Sequence, residues 1–166
     1  MQFIGPLWGV TGICLLIGSA IYRLSHHAAV AIDGGLSTFQ WIVLVVFAIF
    51  MLVAEGYRGF QKKFSPRTAA RVRHLRDNPT PLHVLLAPVF CMGFFHANRK
   101  TRLTVTILTV GIICLILLVR LAPQPWRGII DFGVVLGLSY GITSFLIFTA
   151  KALTQKVFPH SPQVPE

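Results

Sequence analysis

The sequence EGYRGFQKKFSPRTAARVRHLRDN occupies residues 55–78 and decides how the rest of the chain is arranged. It holds seven of the fifteen Lys and Arg residues, and long apolar runs lie on both sides of it. Basic segments between membrane helices stay on the cytoplasmic side of a bacterial membrane. The stretch therefore predicts the orientation of every apolar segment around it.

The composition predicts an all-α integral membrane protein. Of the 166 residues, 54% are hydrophobic and only 12% are charged, whereas soluble domains average about 25% charged residues. The net charge of +10 sits in short loops between apolar runs. We therefore expect the bilayer and its anionic lipids as partners, and we do not expect nucleic acid binding, because no basic domain carries the charge.

Four apolar runs are long enough to cross a bilayer as helices, which takes about 20 residues each. They cover residues 3–22, 36–54, 103–119 and 129–150. Together they predict one polytopic domain over residues 1–150, with a polar link at 23–35 in which His26 and His27 form a surface pair. Residues 151–166 are predicted to be a disordered cytoplasmic tail.

A fifth apolar run, residues 82–97, has only 16 residues and contains Pro88. If it does not cross, twelve basic residues lie on one side of the membrane and three on the other; if it crosses, the split is nine to six. The first distribution agrees far better with the positive-inside rule. The sequence thus predicts four transmembrane helices, a re-entrant or in-plane helical hairpin bent at Pro88, and both termini in the cytoplasm of a bacterial inner-membrane protein.

The basic cytoplasmic loop, residues 55–81, is predicted to contain a short amphipathic helix. Ser65 and Pro66 are typical of a helix start, and Asn78 followed by Pro79 is typical of a stop. Such a helix would lie on anionic headgroups through its cations. The predicted headgroup ligands are Arg58, Lys62, Lys63, Arg67, Arg71, Arg73 and Arg76.

The last apolar run carries Gly133, Gly137 and Gly141 at four-residue spacing. Three such glycines form one groove on a helix, where a second helix can approach closely. The pattern predicts a packing face, and it leaves open whether the partner helix belongs to the same chain, to a second copy or to another membrane protein.

Two groups of polar residues are candidates for a site. Asp131 lies inside the last apolar run, with Arg127 four residues before it and Arg120 nearby, and intramembrane acids are functional candidates. His83 and His96 lie near the two ends of the short run. The cysteines, Cys14, Cys91 and Cys114, form no C-x-x-C pair, and we expect neither a metal nor a cofactor.

These patterns favour a non-enzymatic assembly or accessory subunit, which packs through the glycine helix and binds anionic lipid through the basic loop. Two alternatives remain open. One is a small transporter or channel-like protein with Asp131 in an outer vestibule. The other is a lipid-processing enzyme that acts at the cytoplasmic face with His83, His96 and Arg99 near the headgroups.

Overall fold

A computed structural model describes residues 3–164, and helices are the only regular secondary structure in this part of the chain, without a β-strand. The prediction of an all-α protein is confirmed. The elements are α1 (Ile4–Asp33), α2 (Thr38–Met51), a π-helical segment (Leu52–Phe64), α3 (Ser65–Asp77), α4 (Pro81–Leu85), α5 (Ala87–Met92), α6 (Arg99–Arg120) and α7 (Trp126–Thr154).

Within residues 3–164, four helices are long and apolar enough to cross a membrane. They are Ile4–Asp33, Thr38–Asp77, Arg99–Arg120 and Trp126–Thr154. Each overlaps one of the four predicted crossings, and four such helices indicate a multi-pass membrane protein. The second of these helices is 40 residues long, because α2, the π segment and α3 follow one another without a break.

The first helix does not end where the sequence predicted. The link expected at 23–35 is helical as far as Asp33, so His26 and His27 lie on α1 rather than in a loop. Neither glycine nor proline occurs between Arg23 and Asp33, and Gly35 beyond the helix end adopts a φ of 79° that favours glycine. The helix after the turn begins at a capping box, in which Ser37 and Gln40 each accept a bond from the other's backbone N–H.

The α-helix α3 begins at Ser65 with Pro66 in its first turn, as predicted, but Ser65 caps no helix end, because the π segment continues into α3 without a break. The Ser65 N–H donates to the carbonyl of Phe60, five residues earlier, which is the π-type spacing. A proline in an α-helix clashes with the carbonyl four residues before it. We attribute the wider turn to the need for room around the Pro66 ring, which is fully surrounded by protein.

Helix α7 is the centre of the bundle. It contacts α1, α2, the π segment and α3. It runs antiparallel to α1, because Gly128 at its start lies against Ala31, and parallel to the long helix, whose Phe47 and Phe60 lie against successive glycines of α7. The core residues come from α1, α3, α5 and α7; they are Ile13, Ile17, Val72, Leu75, Ala87, Phe90, Cys91 and Phe145.

Helix α6 stands apart from the other long helices. Of its 22 residues, Thr101 and Val105 are buried, and both lie near its start. Beyond Val105 its leucine, isoleucine and valine side chains are exposed, with Leu118 at 69%. In a membrane such a surface faces lipid or another protein.

One end of the bundle contains the start of α1, the end of α3, the start of α6 and the end of α7. We call it the basic end. Residues 82–97 also lie there, as the short helices α4 and α5 with a bend at Leu86, two residues before Pro88. The two helices have five and six residues and cannot cross a membrane. They pack on α1, where Pro88 lies against Gly12 and Cys91 against Gly9.

Candidate functional site

Arg71 is the central polar residue of the basic end, and it is completely buried. Its Nε donates to the carbonyl of Phe90 at 2.6 Å, and its Nη1 donates to that of Pro162 at 2.9 Å. Its Nη2 donates to the carbonyls of Phe95 at 2.7 Å and His96 at 2.9 Å. One side chain thereby joins α3, the segment after α5 and the tail. A guanidinium with these partners has no surface left for a lipid headgroup in this conformation.

Two further predicted headgroup ligands, Arg73 and Arg76, bind the end of α7. Arg73 donates to the carbonyls of Gln155 at 2.9 Å and Lys156 at 2.7 Å. Arg76 donates to the carbonyl of Leu153 at 2.8 Å. The last carbonyls of a helix have no partner within it and carry partial negative charge. The two arginines therefore cap α7 and attach it to α3.

Asp77 is the carboxylate that pairs with these arginines, and it pairs at the surface. Its oxygens lie 3.6 Å from Arg73 Nε and 2.9 Å from Arg76 Nε, and 45% of its side chain is exposed. Surface pairs of this kind contribute little to stability. The arginines are thus held mainly by neutral carbonyls, so the basic end keeps nearly all of its positive charge.

The other four predicted headgroup ligands are nearer to the surface. Arg58, Lys62 and Lys63 are exposed, and Arg67 is half-buried with an Nε atom that has no hydrogen-bond partner. A cavity of about 420 Å³ lies between this part of the long helix, the start of α6 and the tail. Lys62, Lys63, Arg67 and Lys100 line it, with no carboxylate among the lining residues.

The tail, predicted to be disordered, lies against this cavity in the structure. Gln163 accepts a hydrogen bond from Thr101 at 2.6 Å through its side chain, and its carbonyl accepts one from the N–H of Asn98 at 3.0 Å. Pro162 is bonded to Arg71 as described above. The described part of the tail therefore closes one side of the basic end.

The candidate histidines are brought together at the same end. The ring centroids of His83 and His96 are 4.9 Å apart, and His83 also stacks on Phe90 at 4.6 Å. Partial burial lowers the pKa of His83 below its ordinary 6.5, and the charges of His96, His74 and Arg71 act in the same direction. Both effects disfavour the charged form of the His83 ring.

Cys91 lies close by, beneath Gly9. Burial raises the pKa of its thiol to about 12, although the charge of Arg71 opposes this. A thiol with such a pKa is a packing group rather than a nucleophile. Among residues 3–164, no three side chains of His, Cys, Asp or Glu are grouped as a metal site would need.

The second group of candidates lies at the opposite end of the bundle. Asp131 is 3% exposed, and its Oδ2 atom lies 3.8 Å from Arg127 Nε. Arg127 Nη2 donates to His27 Nε2 at 2.8 Å, so the pair also joins α7 to α1. Arg120 is exposed at the end of α6. The sequence predicted the pair of Arg127 and Asp131 but missed His27, because α1 was expected to end before it.

The three glycines of α7 pack within the chain. Gly133 lies against Phe47 and Met51 of α2, Gly137 against Glu55, and Gly141 against Phe60. A methyl group on Gly141 would come within 2.5 Å of the Phe60 ring. The sequence missed Gly56, which lies against Tyr140 in the same interface. In this structure the glycine groove is filled by the chain's own long helix.

Comparison with protein-family models, with curated proteins and with solved structures finds no match to this chain. The function is therefore argued from the geometry.

Proposed function

We propose that this chain is a non-enzymatic accessory or assembly subunit of a bacterial inner membrane, which binds anionic lipid at its basic end. The observation that carries the proposal is the way in which the basic end is built. Its buried and half-buried arginines donate mainly to backbone carbonyls, which carry no net charge, and Asp77 pairs with Arg73 and Arg76 only at the surface. The remaining cations stay available, at roughly 1 kcal/mol for each one near an anionic membrane surface.

The orientation in the membrane is part of this proposal. The start of α1 and the end of α7 both lie at the basic end, together with most of the Lys and Arg residues; Arg58 lies nearer to the middle of the long helix. The positive-inside rule puts that end in the cytoplasm. Both termini are then cytoplasmic, and the links at 34–37 and 121–125 face outward.

The proposal also gives α4 and α5 an in-plane position at the cytoplasmic headgroups. Their leucine side chains point away from the bundle, with Leu82 53% and Leu85 72% exposed. Trp8 lies beside them and donates from Nε1 to the carbonyl of Leu85 at 3.3 Å. Exposed leucines next to a tryptophan are typical of segments at the membrane interface.

An accessory subunit needs a surface that contacts a second copy or a partner membrane protein. In this proposal that surface is α6. The glycine face of α7 is already occupied, and α6 is the long helix with the least buried surface among the described residues. A chain that is monomeric and unaccompanied after extraction in mild detergent would count against this part of the proposal.

The two alternatives receive less support from the geometry. Asp131 is almost fully buried and paired with Arg127 on the same helix, and Arg127 in turn contacts His27 of α1, which suits a structural link better than an outer vestibule. His83 and His96 are adjacent, but the His83 ring stacks on Phe90 rather than standing free toward a substrate.

Lipid analysis tests the proposal. We expect the full chain, purified in mild detergent, to retain anionic phospholipid above its share of the membrane. The variant Lys62→Gln/Lys63→Gln should lose most of this enrichment, because its missing cations are exposed at the basic end. The control Arg23→Gln/Arg120→Gln removes exposed cations from the opposite end and should keep it. Equal enrichment in both variants, or none in the wild type, would refute the proposal.

A further inference from the structure

The cavity between the long helix and α6 has the features of an anion site. Four cations line it from two separate elements: Lys62, Lys63 and Arg67 from the long helix and Lys100 from α6. A neighbouring cavity of about 340 Å³ contains Asp77 beside Arg73 and Lys156, so its charge is partly balanced from within. The larger cavity has no such internal counter-charge among its lining residues.

Arg67 supplies the most specific feature of this cavity. Its Nε atom is buried and has no hydrogen-bond partner among the described residues. A buried donor of this kind costs free energy until an acceptor reaches it. The other lining cations are exposed lysines that can turn toward a bound group. Thr104 adds a hydroxyl, although it already donates to the carbonyl of Lys100 at 2.9 Å.

We propose that this cavity binds the phosphomonoester headgroup of a membrane lipid. Four cations without a carboxylate match a phosphate with a charge of about −1.5 to −2 better than the single charge of a phosphodiester, because the second pKa of a phosphomonoester is near 6. Guanidinium and ammonium groups are the usual partners of phosphate oxygens. This inference rests on the proposed function, since it requires the basic end to face anionic lipid.

The position of the cavity favours a lipid over free phosphate as the ligand. It lies where α6 diverges from the bundle, just before Val105, the last buried residue of that helix. Leu103 and Ile107 are 60% and 62% exposed immediately beside it. A phosphate in the cavity would leave the acyl chains of its lipid beside the apolar surface of α6.

Native mass spectrometry of the full chain in mild detergent tests the inference. The probes are dioleoyl-phosphatidic acid, dioleoyl-phosphatidylglycerol and dioleoyl-phosphatidylcholine, each with and without excess inorganic phosphate. We expect one phosphatidic acid to bind about tenfold or more tightly than phosphatidylglycerol, and inorganic phosphate not to replace it. The variant Arg67→Gln/Lys100→Gln should weaken phosphatidic acid binding by about tenfold or more, because each charge-assisted hydrogen bond contributes about 1.5–3 kcal/mol.

The control Lys151→Gln/Lys156→Gln also removes two positive charges from the basic end, but outside the cavity. It should keep the preference for phosphatidic acid over phosphatidylglycerol. A second variant, Lys62→Gln/Lys63→Gln, changes only exposed side chains, so its loss of preference cannot be ascribed to misfolding. Equal binding of both anionic lipids in all variants would overturn the inference and leave the proposed function standing. Displacement by inorganic phosphate would overturn the assignment to lipid. Equal binding of all three lipids would overturn both proposals.

Discussion

At the scale of single residues, Arg71 explains how a strongly basic segment can be part of a folded core. Its guanidinium lies over the Phe90 ring at 4.3 Å, and its donors diverge toward carbonyls of three chain segments. Only the planar fork of arginine offers donors in several fixed directions. The residue therefore acts as the connection between α3, residues 82–97 and the tail.

Arg71→Lys tests this role. Lysine keeps the charge, but a single ammonium cannot reach carbonyls on three segments, so buried carbonyls lose their partners. We expect the free energy of unfolding to fall by roughly 3 kcal/mol, measured as a lower melting temperature in mild detergent. The exposed control Arg58→Lys should change stability by less than about 0.5 kcal/mol. Equal melting temperatures for Arg71→Lys and the wild type would contradict the role.

The sequence could predict only the local part of this chemistry. Arg127 and Asp131 are four residues apart on one helix, and their pair was predicted from that spacing alone. The sequence predicted that Arg71 binds lipid. Its contacts inside the protein could not be foreseen, because the carbonyls that it binds lie 19 to 91 residues away along the chain. Nothing in the spacing of charges identifies which of the five arginines in this stretch turns inward.

At the scale of elements, the glycine face of α7 and the π segment depend on each other. The long helix places Phe47, Glu55 and Phe60 against three glycines that are four residues apart. The steps of eight and five residues between these contacts differ from the regular spacing of the glycines. We infer that the wider π turn adjusts the register, so that Phe60 meets Gly141.

Gly141→Ala tests this packing. The added methyl group would lie 2.5 Å from Phe60 Cγ, so the helices must separate. We expect a loss of about 1–3 kcal/mol, measured by thermal unfolding in mild detergent, and partial recovery when Phe60→Leu is added. Gly111→Ala is the matched control, because nothing lies within 4 Å of its new methyl group. A Gly141→Ala protein as stable as this control would refute the packing.

The sequence predicted the glycine groove because small residues at a fixed spacing mark one helix face. It could not identify the partner, since the second crossing was predicted to end at residue 54 and the next helix to begin at Ser65, which hid the continuity of the long helix. Proline after serine is common at helix starts, and only packing against α1, α5 and α7 keeps the helix going through Pro66. The predicted break between the two helices thus came from a local rule that tertiary contacts override.

At the scale of the whole molecule, α1, the long helix and α7 form the body, and α6 stands beside it. Hydropathy could predict the four long helices, because the lipid core demands about 20 apolar residues for each crossing. It could not predict that α1 continues to Asp33 or that the tail lies on the basic end. Those features depend on contacts at the polar ends of the bundle. The length of an apolar run does not predict such contacts.

The most direct test of the account is the side of the membrane from which residues 80 and 100 can be reached. Thr80→Cys and Lys100→Cys, each in a Cys14→Ala/Cys91→Ala/Cys114→Ala background, are treated with a membrane-impermeant maleimide in intact cells and in inverted vesicles. Gln124→Cys, in the exposed link before α7, reports the other side. With the basic end in the cytoplasm, positions 80 and 100 should react only in inverted vesicles and position 124 only in intact cells. Labelling of positions 80 and 100 from opposite sides would contradict it.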